Sequence, residues 1–144
     1  MLALLFRFLL GSVFVASGFN KLRLPISHFA EAIETYHLVG PDISFWMAAL
    51  IPWFELVAGI FLILGLYTKQ SARVIFVMLI VFISALASAL IRKLDLSDCG
   101  CFGEGVHLAP SVTLLIDLCL LIMSASLSFK AKISYSLDEW FDSR

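Results

Sequence analysis

Charge is scarce in this chain of 144 residues: Asp, Glu, Lys and Arg together make up 15%, and the net charge is −1. A soluble domain carries roughly 25% charged residues. There is no basic run and no interleaving of basic with aromatic residues, which excludes a nucleic-acid-binding surface. Cysteine is scarce too, and the three that are present cannot build a disulfide framework. No internal repeat, low-complexity tract or long linker divides the chain, so nothing marks a boundary between domains. The first apolar run, Leu2 to Gly18, has no basic segment ahead of it and is interrupted by Arg7. It therefore reads as a retained span and not as a secretory signal peptide.

Apolar residues are in excess instead, at 61%, more than one small core can bury, so the bilayer is the expected solvent. Four segments, Leu2–Phe19, Phe45–Leu66, Arg73–Ile91 and Pro110–Phe129, have the length of about 20 residues that crosses ~30 Å of hydrocarbon. The expectation is an all-α protein, an integral membrane four-helix bundle occupying residues 1–129, followed by a polar tail over 130–144. Between the first two spans, Phe29, Ile33 and Tyr36 fall at i, i+4 and i+7. Ser27 is placed to cap a short interfacial helix there, and Gly40-Pro41 to stop it.

Four spans put both termini on one side. Termini inside leaves Lys69, Arg73, Lys130, Lys132 and Arg144 cytoplasmic and puts Lys21, Arg23, Arg92 and Lys93 outside, a thin positive-inside bias. The connection from Arg92 to Ala109 is then external.

Arg7, Glu55 and Asp117 each interrupt an apolar run. A charge at the centre of a span costs ~2.5–3.5 kcal/mol even on the lenient insertion scale, so each should face the interior and find a partner. Depth at ~1.5 Å per residue brings Arg7 closer to Glu55 than to Asp117, and an Arg7–Glu55 pair is expected. Helical spacing supports inward stripes: Arg7, Gly11, Phe14, Gly18 and Lys21 on the first span, Pro52, Glu55 and Gly59 on the second. Ser84, Ala87, Ser88 and Ile91 form a small-residue seam on the third, and Thr113, Asp117, Leu120 and Ser124 align on the fourth. Beyond a structural pair, such a polar core suits a proton path or a pocket for a quinone-like ligand, with Asp117 as the better site for either.

The remaining chemistry lies in Asp98-Cys99-Gly100-Cys101-Phe102-Gly103-Glu104, where the greasy chain turns polar. Three readings are open to Cys99 and Cys101: a cycling disulfide, a metal site, or two inert thiols. Exposed thiols react, which weighs against inertness. A metal would need two further ligands, and beyond His107, His28 and His37 no paired spacing supplies them. A ring closed across Gly100 is small and strained, the kind of disulfide that is labile or catalytic. Nearby Lys21, Arg23, Arg92 and Lys93 would favour thiolate, and Asp98 and Glu104 oppose it. Cys119, two residues from Asp117 and on nearly the opposite face, reads as a small buried hydrophobe.

The Cys-Gly-Cys-Phe-Gly loop ahead of a fourth span resembles the MauE family, within the wider DoxX-like membrane proteins. The likeness extends over Arg7 with Gly11, Ser17-Gly18-x-x-Lys21-Leu22, Phe29 through Tyr36, Pro52-x-x-Glu55-Leu56-x-x-Gly59 and Leu64-Gly65-Leu66. It implies a multi-pass protein of the bacterial inner membrane connected with the maturation of methylamine dehydrogenase, whose small subunit needs many periplasmic disulfides. Members of the family often carry a basic residue in the fourth helix, and Asp117 departs from that pattern. Taken together, the expectation is a membrane thiol–disulfide redox or maturation factor. Cys99 and Cys101 would be its exchanging pair, and Arg7, Lys21, Glu55 and Asp117 a supporting polar core. A periplasmic thioredoxin-like protein or a client would be its partner, and a quinone is the one cofactor admitted. The alternative is a non-catalytic scaffold, or a quinone- or lipid-binding subunit, in which Cys-Gly-Cys is a fixed clip.

Overall fold

The structure, a computed structural model, describes residues 2–93 and 110–129. They form five helices and no strand: α1 (Leu2–Arg23), α2 (Ile26–Glu34), α3 (Pro41–Leu64), α4 (Thr68–Ile91) and α5 (Pro110–Phe129). All but α2 are long and apolar enough to cross a membrane. The chain is an all-α, integral membrane four-helix bundle with a short helix between its first two spans. Lipid-facing positions carry large apolar side chains that a soluble protein would hide, among them Phe8, Trp46, Trp53, Phe54, Val77 and Ile122.

The helices run further than their apolar stretches. α1 continues through Lys21 to Arg23 before Pro25 interrupts it. α3 begins at Pro41 and not at Phe45, because proline is well placed at a first helical position where its missing N–H has no intrahelical acceptor. Gly40-Pro41 is therefore a start signal as much as a stop. α3 ends on Gly65, whose φ of +75° is the left-handed conformation glycine adopts freely. The N–H groups of Gly65 and Leu66 both return to the Phe61 carbonyl, at 2.9 and 3.0 Å. Tyr67 completes the turn, so α4 starts at Thr68 and not at Arg73. On α2 the residue at the N-cap is Pro25, with no side-chain cap, and Ser27 lies exposed inside the helix.

α1 packs chiefly on α3 and α4 on α5, with α2 lying against α3. The α1–α3 seam is unusually close. A Cβ on Gly11 would come within 2.9 Å of the Gly59 carbonyl oxygen, and a Cβ on Gly59 within 2.9 Å of the Gly11 oxygen. A Cβ on Gly18 would lie 2.8 Å from the Pro52 oxygen. Small residues are what lets two spans approach this far without a hydrophobic drive between them. Around the seam Leu10, Phe14, Leu62, Ile75, Leu79 and Leu120 fill the core.

The α4 seam differs from expectation. Its buried face is Ala72, Ile75, Leu79, Leu86 and Ala89, whereas Ser84 is exposed and Ile91 is 82% exposed. Small residues, Thr68, Ser71, Ala72 and Ala89, share this buried face with Ile75, Leu79 and Leu86. The serine stripe looks instead toward a gap beneath α2.

Candidate functional site

Four charged residues were expected to form the polar core, and Arg7, Lys21, Glu55 and Asp117 are all buried, each at 4% exposure or less. Their pairing differs from expectation. Glu55 pairs with Lys21, Nζ to Oε1 at 2.6 Å, and both side chains are 1% exposed. Lys21 also donates to the Ser17 hydroxyl at 3.1 Å, and Ser17 donates to the other Glu55 oxygen at 3.2 Å. The three groups close a ring in which the carboxylate accepts on both oxygens. That is the condition under which a buried ion pair is tolerated.

Arg7 does not reach Glu55, and the reason is register. Gly11 of α1 lies opposite Gly59 of antiparallel α3, and Gly18 opposite Pro52. Four residues back from Gly11 is Arg7, and four on from Gly59 is Ile63. Gly18, which stands against Glu55, is eleven positions on from Arg7, so Arg7 lies ~16 Å from the level of Glu55. Arg7 donates instead from Nε to the Leu62 carbonyl at 3.1 Å and from Nη2 to the Ile63 carbonyl at 3.2 Å. A cation on the last carbonyls of a helix satisfies groups that have no intrahelical donor and complements the helix dipole. Gly65 is favoured by its φ of +75°, and the Arg7 guanidinium lies where its side chain would begin. Lys21, in turn, was expected outside the span. The extra turn of α1 carries it one turn beyond Ser17, on the same face.

Two aromatic rings enclose the pair. The Lys21 ammonium is 4.9 Å from the centroid of Phe29 on α2 and 5.3 Å from that of Phe82 on α4. The cation thus joins α1, α2, α3 and α4 at one level, through an ion pair and two cation–π contacts. Sequence reasoning had Phe29 as a helix-packing residue and did not single out Phe82. No local signal ties a lone phenylalanine in an apolar run to a lysine on another span.

Asp117 faces the same interior from α5. With Ser17, Glu55, Phe14, Leu79 and Phe82 it borders a void of about 20 Å³, room for about one water molecule. On the same stripe Thr113, Leu120 and Ser124 are buried as well. Cys119, on the other face, is exposed. The expectation of a buried thiol is therefore corrected: in a bilayer it faces lipid.

A much larger cavity, about 430 Å³, opens at the α2 end between α3 and α4. Phe29, Ile33 and Tyr36 roof it, Ile51 lies on its α3 side, and Phe82 and Ser84 on its α4 side. Tyr36 also anchors the end of α4, because Arg92 Nη1 donates to its carbonyl at 3.2 Å. The cysteine pair expected to exchange, Cys99 and Cys101, lies outside the described residues, as does the polar tail. The connection that carries the pair leaves α4 after Lys93 and enters α5 at Pro110, at the end of the bundle where α2 sits.

Four apolar spans around a closed Lys–Glu–Ser cluster define a multi-pass helical membrane protein with an internal polar centre. The family described as Methylamine utilisation protein MauE matches residues 1–130, and the chain belongs to that family. It is similar to the Methylamine utilization protein MauE of Paracoccus denitrificans, with 28% identity over 137 residues, covering 92% of this chain and 73% of that protein. No solved structure matches.

Proposed function

We propose that this chain is a maturation factor of the bacterial inner membrane in methylamine utilisation, exchanging disulfides through Cys99 and Cys101. In the proposed orientation the termini are cytoplasmic and the α4–α5 connection is periplasmic. A client thiolate attacks the Cys99–Cys101 disulfide, forming one mixed disulfide and releasing one thiolate. A second client thiolate then breaks the mixed disulfide. The client gains an S–S bond, and the pair is left as a dithiol holding two electrons and two protons. A periplasmic thioredoxin-like protein or a membrane acceptor takes them.

The observation that supports this reading is the joining of family membership to topology. The one segment with paired cysteines starts and ends beside α2, at one face of the bundle. The test is trapping in native membranes. The Cys101→Ser variant is expected to hold a partner on Cys99, or Cys99→Ser on Cys101, as a mixed disulfide visible without reductant. If neither variant traps anything while the methylamine-oxidising enzyme still matures, exchange is wrong.

A second reading is favoured by the closure of the Lys21–Glu55–Ser17 ring, which is the geometry of a structural fastener. A non-catalytic scaffold would carry Cys-Gly-Cys as a fixed clip. Redox titration separates the two: a clip stays oxidised across physiological potentials, and an exchanging pair does not.

A further inference from the structure

The 430 Å³ cavity is not used by the polar centre, and its walls are specific. α3 and α4 are joined by a tight turn at the opposite end and touch less extensively than the α1–α3 and α4–α5 pairs, which leaves room between them at the α2 end. Along α4 the cavity runs from Ile80 to Ser88, eight residues or ~12 Å. It reaches from the α2 end down to the level of the polar centre, where Phe82 borders both voids. Exposed Leu38, Ile80 and Val81 belong to its lining, so its mouth is apolar and opens on the flank that lipid covers.

The volume lies in the range of small-molecule sites, which are mostly apolar with a few placed polar groups. Three aromatic side chains, Phe29, Tyr36 and Phe82, line it together with the hydroxyl-bearing Ser84 and Ser88. The two serines are one turn apart on one face of α4, ~6 Å along the axis, comparable with the separation of the two oxygens across a para-quinone ring. The Ser84 hydroxyl is turned back on the Ile80 carbonyl at 2.7 Å and is able to rotate toward a ligand.

We infer that this cavity is a binding site for a membrane quinone, entered from the bilayer, with its ring between α2 and α4. The choice of ligand rests on the redox reading above. A dithiol oxidised by a quinone balances without a further reagent: one S–S bond forms, two electrons and two protons pass to the ring, and both carbonyls become hydroxyls.

The test uses the full chain in phospholipid nanodiscs, with decylubiquinone as ligand and a photoreactive azidoquinone as label. Label is expected in residues 29–39, 47–51 and 80–88, competed by decylubiquinone and not by oleate. Ala85→Phe and Ala32→Phe, which fill the cavity from α4 and from α2, are each expected to weaken binding by about tenfold or more. If one of them fails to fold, the other carries the test, with thermal unfolding as the check. Label elsewhere, equal competition by oleate, or binding unchanged in the folded variant overturns the quinone site. The Cys99–Cys101 redox titration is run on the same samples. A pair that cycles beside a cavity that takes no quinone overturns this inference and spares the exchange reading. A cavity that takes quinone beside a pair that never cycles does the reverse.

Discussion

Replacing Lys21 with methionine removes one charge and almost no volume, which makes it a clean test of the polar centre. In the native chain Glu55 is 1% exposed and holds Lys21 at 2.6 Å and Ser17 at 3.2 Å. With Lys21 gone, the serine hydroxyl and at most the one water that the adjoining void of about 20 Å³ admits remain for the carboxylate. Removing one partner of such a pair costs about 3–5 kcal/mol. Cation–π contacts to Phe29 and Phe82, each worth about 1–2 kcal/mol when desolvated, are lost as well. Glu55→Gln keeps the volume and the serine contact but leaves the ammonium uncompensated, so its loss is of the same order. The double variant Lys21→Met, Glu55→Met has no buried charge left to strand. Hydrophobic replacement of a whole pair is often neutral or stabilising by about 1–4 kcal/mol, and the lost ring contacts pull that figure back toward zero. The assay is reversible unfolding in bilayers of wild type, both singles and the double, read as a cycle. Expected are two singles at least about 3 kcal/mol below wild type and a double within about 2 kcal/mol of it. A Lys21→Met variant within about 1 kcal/mol of wild type, or a double as weak as the sum of the singles, would refute the pair as the centre of the fold.

Other consequences are cheaper to check. Gly18→Ala places a methyl 2.8 Å from the Pro52 oxygen and 2.9 Å from the Leu56 nitrogen, both backbone, so α1 and α3 must separate; a loss of about 1–3 kcal/mol is expected in the same assay. Gly40→Ala, with nothing within 4 Å, serves as its control. Arg7→Met strips the donors from the Leu62 and Ile63 carbonyls and should speed amide exchange at Gly65 and Leu66. Arg7→Lys should restore only part of the protection, because a point charge does not reproduce the guanidinium fork. Cys119 should resist both N-ethylmaleimide and a charged maleimide in intact membranes and react only after denaturation, since it faces lipid, where a thiol does not ionise. Rapid labelling by the charged reagent would place it on a water-filled path instead.

Most of the architecture could be read before any coordinates, because the bilayer imposes a length and glycine marks where helices touch. The stripes Arg7, Gly11, Gly18, Lys21 and Pro52, Glu55, Gly59 do meet across one seam. Their partners were misassigned because depth was counted from the ends of apolar runs, and the helices outrun those ends by up to five residues. Aligning glycine against glycine would have set the register and brought Glu55 closer to Lys21 than to Arg7. The small-residue seam on α4 was misplaced: Ser84 and Ser88 border a cavity, while the buried face carries Thr68, Ser71, Ala72 and Ala89 beside Ile75, Leu79 and Leu86. The cavity itself had no signature, since it is a gap between three helices and belongs to no single stretch of chain.

The ion pair between the first two spans also bears on how the protein is made. A helix carrying Lys21 alone, or Glu55 alone, would enter lipid with an uncompensated charge, at ~2.5–3.5 kcal/mol even when the translocon assists. Together the two form a neutral unit locked by the Gly11–Gly59 crossing. The first hairpin is therefore expected to enter the membrane as one body, after its second span has been synthesised.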